Sequence, residues 1–289
     1  MLNPVLRREA KTSLRSWKIY ALIMAHAGFI AFVAFMFIGI NAANRYMGFD
    51  PQLIIYLYIL MCAFQMALIM ISTPALTAGS ISGERERQTL DLLLVTKMRP
   101  ISIITGKMVA GLSIVLLMIV SSLPVFAIVF YFGGISIGTF IKMTVFMIVT
   151  SCMAGAVSIL LSTIVKKSMI STVLVYLIFG VLCIGTLVGV FLYYGLLYSR
   201  YYALNITTPF ELGILSKIFI NILLSINPGV AFFSLIENEF GMNIVRDVIS
   251  VGSNTILDNI WIFNIIFNIV VTGILLILAS KFINPLRKK

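Results

Sequence analysis

The chain has 289 residues, 61% of them hydrophobic and 11% charged, with a mean hydropathy of +1.09. Soluble domains are about a quarter charged, so a water-soluble enzyme or binding domain is excluded and an integral membrane protein is indicated. The formal net charge of +11 does not signal a nucleic-acid binder, because the basic residues gather at the ends of apolar runs rather than in a patch.

A membrane-spanning helix needs roughly 20 mostly apolar residues. Six runs qualify, at about 19–40, 52–76, 101–130, 139–165, 168–197 and 260–282, and the fold expected is an all-α integral membrane protein of a single domain over residues 1–289. Ahead of the first run, Asn3 can cap a helix and Pro4 suits its first position. Arg7, Lys11, Arg15 and Lys18 then recur at helical spacing beside Arg8, with Leu6, Ala10, Leu14 and Trp17 as the neighbouring stripe. This predicts an amphipathic helix over 3–18 lying in the membrane interface. The basic leader and the run behind it are both longer than a cleaved signal peptide's, so the first helix is read as retained.

Spans two and three carry internal prolines, Pro74 and Pro124, which kink a helix and free a carbonyl. Between them lies the densest charge in the chain, Ser82-Gly83-Glu84-Arg85-Glu86-Arg87-Gln88-Thr89-Leu90-Asp91-Leu92-Leu93-Leu94. Such charge cannot lie in hydrocarbon and must meet water or a partner. Ser82 can cap a helix there, Glu84 and Glu86 suit its positive end, and Arg87 can pair with Asp91. Leu90, Leu93 and Leu94 form an apolar ridge. The prediction is a helix over 82–95 whose ridge either docks in a groove on a soluble partner or lies at the cytoplasmic interface without one.

Gly133-Gly134 predicts a tight turn between antiparallel spans three and four. In span five, Gly185 and Gly189 are spaced for close helix approach. Residues 199–259 form a long connection that is far from hydrophilic. Its apolar stretches, 212–226 and 230–236, are separated by Asn227-Pro228-Gly229 and predict short re-entrant or interfacial helices. In span six, Asn264, Asn268 and Thr272 share one face; with Gln65 of span two they are either hydrogen-bond glue between helices or, as a minority reading, lining of a substrate path. Sixteen of the 21 basic residues fall on the side of both termini and the charged segment, including Lys97, Arg99, Lys107, Lys166, Lys167, Lys281 and Arg287. The positive-inside rule places that side in the cytoplasm.

Several chemistries find no footing. Gly106-Lys107 lacks the flanking glycine and hydroxyl of a phosphate loop, so Lys107 reads as an anchor at the inner interface. His26 has no second ligand nearby in sequence, and Cys62, Cys152 and Cys183 read as small buried hydrophobes. The span interiors hold essentially no Asp or Glu, which weakens a secondary-carrier reading. No metal site, catalytic constellation or nucleotide site is expected in this chain.

The run from Pro74 through Ala-Leu-Thr-Ala-Gly-Ser-Ile-Ser-Gly-Glu-Arg-Glu-Arg-Gln-Thr-Leu-Asp-Leu-Leu-Leu-Val to Thr96, followed by Ile104-Thr-Gly-Lys107, resembles the signature of ABC-2 type transporter permeases. The opening Asn3-Pro4-Val-Leu-Arg-Arg-Glu9 resembles that family's N-terminal elbow helix, and Asn227-Pro228 its outer segment before the last span. The resemblance implies a type V exporter-like architecture and an exporter subunit with no nucleotide site of its own. It implies that Gly83, Glu84, Arg85, Glu86, Arg87, Thr89, Leu90 and Leu93 belong to a coupling helix seated on a cytoplasmic ATPase that binds ATP and magnesium. It also implies a second permease subunit, identical or not, and a cell-membrane location, with lipids and no nucleic acid as further partners. The alternatives are a secondary carrier or a scaffold that recruits a cytoplasmic enzyme.

Overall fold

The computed structural model describes residues 9, 16–43, 51–90, 99–133, 135–204, 213–242 and 259–283. Every regular element among them is helical: α1 (Trp17–Ala43), α2 (Pro51–Thr77), α3 (Ser82–Glu86), α4 (Pro100–Tyr131), α5 (Ile137–Ile164), α6 (Ser168–Gly180), a π-turn (Val181–Gly185), α7 (Thr186–Ala203), α8 (Ile214–Ile226), α9 (Pro228–Phe240) and α10 (Ile260–Phe282). Six helical runs are long and apolar enough to cross a membrane. Spans two, three and four bury the largest share of their surface, while spans one, five and six leave most of theirs exposed. Exposed Phe, Leu and Ile on the latter are what a hydrocarbon solvent permits.

The sequence suggests one domain; the contacts gather into two compact units, Met1–Val175 with Ile269–Lys289, and Tyr176–Asn268. In the first unit α1 packs on α2 and α4, α2 on α4 and α5, and α4 on α5. Aromatic edges interlock these helices: Phe29 with Phe64 at 5.3 Å, Tyr58 with Phe126 at 5.8 Å, and Phe130 with Phe140 at 5.4 Å between ring centroids. The tightest approach is at Gly111, where a Cβ would stand 2.5 Å from Thr77 Cγ2. Pro74 and Pro124 lie inside helices that continue past them. Ser136 starts α5 by accepting from the Thr139 amide at 3.0 Å, and Gly133 has the left-handed φ of 80° that the turn before it needs; Gly134 lies outside the described residues.

In the second unit α7 packs on α8, and α8 on α9. The axes of Leu215–Ile226 and Pro228–Phe240 bend by 99°. Each helix has 13 residues, about 20 Å, so neither alone crosses a hydrocarbon core of about 30 Å. Gly241, at φ 66°, ends α9.

Three expected boundaries move. The interfacial helix does not extend to 18, because Trp17 and Lys18 already belong to α1; Arg7, Arg8, Lys11 and Arg15 lie outside the described residues. Span five does not stop at 197, since nothing breaks the helix before Ala203. The helix expected over 82–95 is interrupted after Glu86, and 91–95 lie outside the described residues.

Candidate functional site

The charged segment is the end of a longer helix rather than the start of a new one. Amide bonds Ala78→Pro74, Gly83→Gly79 and Arg85→Ile81 carry the backbone through residues 78–81, so Gln52–Glu86 is one 35-residue helical run of about 52 Å. That exceeds a hydrocarbon core, and the charged end stands beyond the apolar part that closes at Thr77. This overturns two expectations. Ser82 is no N-cap: it is buried, and its hydroxyl bonds back to the Ala78 carbonyl at 3.3 Å. Glu84 and Glu86 meet no free helix N-terminus of their own segment.

The run ends in a Schellman turn. Thr89 N–H donates to Glu84 O at 2.9 Å and Gln88 N–H to Arg85 O at 3.1 Å, with Gln88 left-handed at φ 58°. The helical register is therefore broken at Gln88, ahead of the expected Arg87–Asp91 pairing. Asp91 and Leu93 lie outside the described residues. Leu90 is 6% exposed and packs with Ile81, Ile103, Ile104 and Met108. It fills this chain's own core, so the expectation that it fills a partner's groove is corrected.

Three consecutive side chains of the segment each engage a different membrane helix. Glu84 Oε1 accepts from Lys107 Nζ in α4 at 2.8 Å. Arg85 Nη2 donates to the Thr163 carbonyl near the C-terminus of α5 at 2.9 Å, where a cation suits the helix dipole. Glu86 caps the N-terminus of α6, accepting from the Ser168 amide at 2.9 Å and its hydroxyl at 2.8 Å. The Ser168 amide, then the Ser168 hydroxyl, hold the Glu86 carboxyl below its ordinary range, with smaller help from Lys167 and Arg87. Ser162 Oγ adds two bonds, accepting from the Ile81 and Ser82 amides at 3.0 and 2.9 Å.

Lys107 is not the interfacial anchor that its sequence position suggests. Its side chain is 3% exposed, and it also donates to Glu9 Oε1 at 3.0 Å. One buried ammonium thus ties the N-terminal segment, the charged segment and span three together. A sequence signal was present: a lysine two turns inside an apolar helix demands a partner. Ser162, Thr163 and Ser168 carried no comparable signal. Just beyond the clamp Arg87, Gln88 and Thr89 are exposed, as are Glu86 itself, Lys166 and Lys167, while Gly83 is half-buried and a Cβ there would meet open space.

The remaining candidates are dispersed. Asn264 and Asn268 are fully buried; Asn264 Nδ2 donates to the Ser225 carbonyl and Asn268 Nδ2 to Asn264 Oδ1, both at 2.8 Å. They act as glue at the turn after α8. Thr272 is half-buried. Gln65 is 3% exposed with its Oε1 unpaired among the described residues, and His26 is likewise buried with both ring nitrogens unpaired there. Cys62 is buried, Cys152 and Cys183 half-buried, and all three are free thiols. Gly185 and Gly189 do not form a close seam: a Cβ on Gly185 would meet only Val181 of its own turn, and one on Gly189 would meet Leu223 at an ordinary 3.8 Å.

Six helical runs long and apolar enough to span a membrane, with one charged helical end fastened to three of them, define a multi-pass membrane protein. The chain belongs to the ABC-2 family of transporter proteins: the model described as ABC-2 family transporter protein matches residues 74–280, from Pro74 through the clamp into the last turn of α10. No curated protein matches the chain. The family supplies the permease component of ABC transporters, generally without an ATPase site of its own, and membership implies association with an ABC ATPase.

Proposed function

We propose that this chain is the membrane subunit of an ATP-driven exporter in the cell membrane, with both termini and the charged segment in the cytoplasm. A separate ATPase, holding ATP and magnesium, docks on the exposed knob Arg87–Thr89, and a second permease subunit completes the path. The carrying observation is the clamp: Glu84, Arg85 and Glu86 each hold a different span while the residues just beyond them stay exposed. A displacement of the knob is thereby delivered to spans three, four and five through short polar contacts. The burial of Leu90 and the pairing of Glu84 move the expected docking surface outward, to Arg87, Gln88 and Thr89.

The test is recovery of the native complex from cells that carry the partner ATPase. Arg87→Glu with Gln88→Glu leaves every clamp contact in place and should lose most ATPase recovery while the chain's own unfolding transition stays parental. Full recovery, with undiminished ATPase turnover in the complex, would show that the knob is only surface. Orientation is checked on a cysteine-free background carrying Gln88→Cys; an impermeant maleimide added outside intact cells should leave it unlabelled, and labelling from outside reverses the topology.

A further inference from the structure

Tyr193 of span five meets Ser216 and Phe219 along α8, and at the α8–α9 corner itself one side chain with two separable roles contacts span five. Asn227 is 1% exposed. Its Oδ1 starts α9 by accepting from the Gly229 and Val230 amides at 2.8 and 3.2 Å. Its Nδ2 donates to the Cys183 carbonyl at 2.8 Å and to Thr186 Oγ1 at 2.7 Å. Thr186 can accept because its own hydroxyl donates to the Leu182 carbonyl at 2.7 Å. The acceptors belong to the π-turn Val181–Gly185 and the residue after it, where the regular helical ladder is interrupted. Such turns are frequent at functional sites.

Depth makes this contact consequential. Cys183 lies about 22 Å along the helix from Ser168, within a hydrocarbon core of about 30 Å. Backbone groups at that depth need a protein partner, and Asn227 supplies it to span five. On its other side the corner is held through Ser225, whose carbonyl accepts from Asn264. The two helices turn through 99° at Asn227, so its side chain fixes both where the corner sits and how α9 leaves it.

We propose that Asn227 is the latch of an outer gate: its carboxamide seats the re-entrant corner on the π-turn of span five, and releasing those two donor bonds frees the corner. The seating of the corner stands without the exporter reading; only its use as a gate rests on that reading. Asn227→Asp separates the roles, because a carboxyl keeps the oxygen that caps α9 and, even protonated at this depth, has a single O–H and cannot make both donor bonds. Asn227→Ala loses the cap as well.

Cys183 reports on the corner directly, since its own carbonyl accepts from Asn227 Nδ2. The full-length chain in lipid nanodiscs, with Cys62→Ala and Cys152→Ser, is reacted with N-ethylmaleimide, and modification is followed by mass spectrometry. Losing at least one of the two donor bonds should raise the Cys183 rate roughly five- to tenfold in Asn227→Asp, with the thermal transition and monodispersity of the protein preserved. A parental rate in both variants overturns the latch, and so does a faster rate seen only together with loss of the global fold. In the complex with its ATPase, trapping with Mg-ATP and vanadate should speed Cys183 modification in the chain with Asn227 intact. An unchanged rate in a trapped complex overturns the gate. A chain that binds no ATPase sinks the exporter reading alone, leaving the latch to be decided by the Asp variant.

Discussion

Lys107 is the position at which the clamp can be weighed. Its buried ammonium serves two carboxylates, Glu84 at 2.8 Å and Glu9 at 3.0 Å, whose side chains are 20% and 34% exposed. Removing one partner of a buried pair costs about 3–5 kcal/mol, mostly from the charge left behind. Here the abandoned groups after Lys107→Met are two half-wetted carboxylates, which water can partly rescue, so a loss of about 2–4 kcal/mol is expected. Glu9→Gln and Glu84→Gln each leave the lysine one full counter-charge and should cost only about 1 kcal/mol. The double carboxamide strands the ammonium at 3% exposure and should cost about 3–5 kcal/mol, at least 1 kcal/mol beyond the sum of the singles. Equilibrium unfolding of the full-length chain in mixed lipid–SDS micelles, followed by circular dichroism, measures all four variants. If Lys107 were an interfacial anchor, each change would stay within about 0.5 kcal/mol. Additivity within that margin refutes the shared-lysine argument, whatever the individual values.

Three further outcomes separate packing from docking. Leu90→Ala should destabilise the chain by about 2–4 kcal/mol in the same micelles, because Leu90 is 6% exposed; lost ATPase recovery with unchanged stability would restore the docking ridge. Gly111→Ala should cost about 1–3 kcal/mol through its clash with Thr77 Cγ2, and adding Thr77→Ser, which deletes that methyl, should recover most of the loss; Gly189→Ala should be near neutral. For Glu86 the sign follows from a carboxyl whose folded pKa is lowered. Its cap on α6 contributes fully above the ordinary carboxylate value of about 4.3 and is lost as pH falls through the lowered folded value. The stability difference between parent and Glu86→Gln should therefore be constant at pH 6–7 and shrink below about pH 4; a difference unchanged down to pH 3 removes the carboxylate from the cap.

The sequence by itself determined the solvent and the elements. Runs of apolar residues about 20 long have no stable alternative to spanning a bilayer, so six helices were legible from composition along the chain. Asn227-Pro228-Gly229 marked the break between α8 and α9 because an Asn cap and a Pro at the first helical position are local chemistry. The Glu-Arg-Glu-Arg run marked the polar end of span two because that charge has nowhere else to go. What only the tertiary structure decided is which way those charges turn. Glu84, Glu86 and Arg85 find partners 23, 82 and 78 residues away, and nothing within their own segment specifies those distances. Leu90 looked like a docking ridge by its spacing from Leu93 and Leu94, but Gln88 ends the helix in a left-handed turn and sends Leu90 into the core. Gly185 and Gly189 had the spacing of a packing seam, yet the close approach formed at Gly111 against Thr77, because small residues permit contact and only the arrangement of neighbouring helices chooses where it occurs.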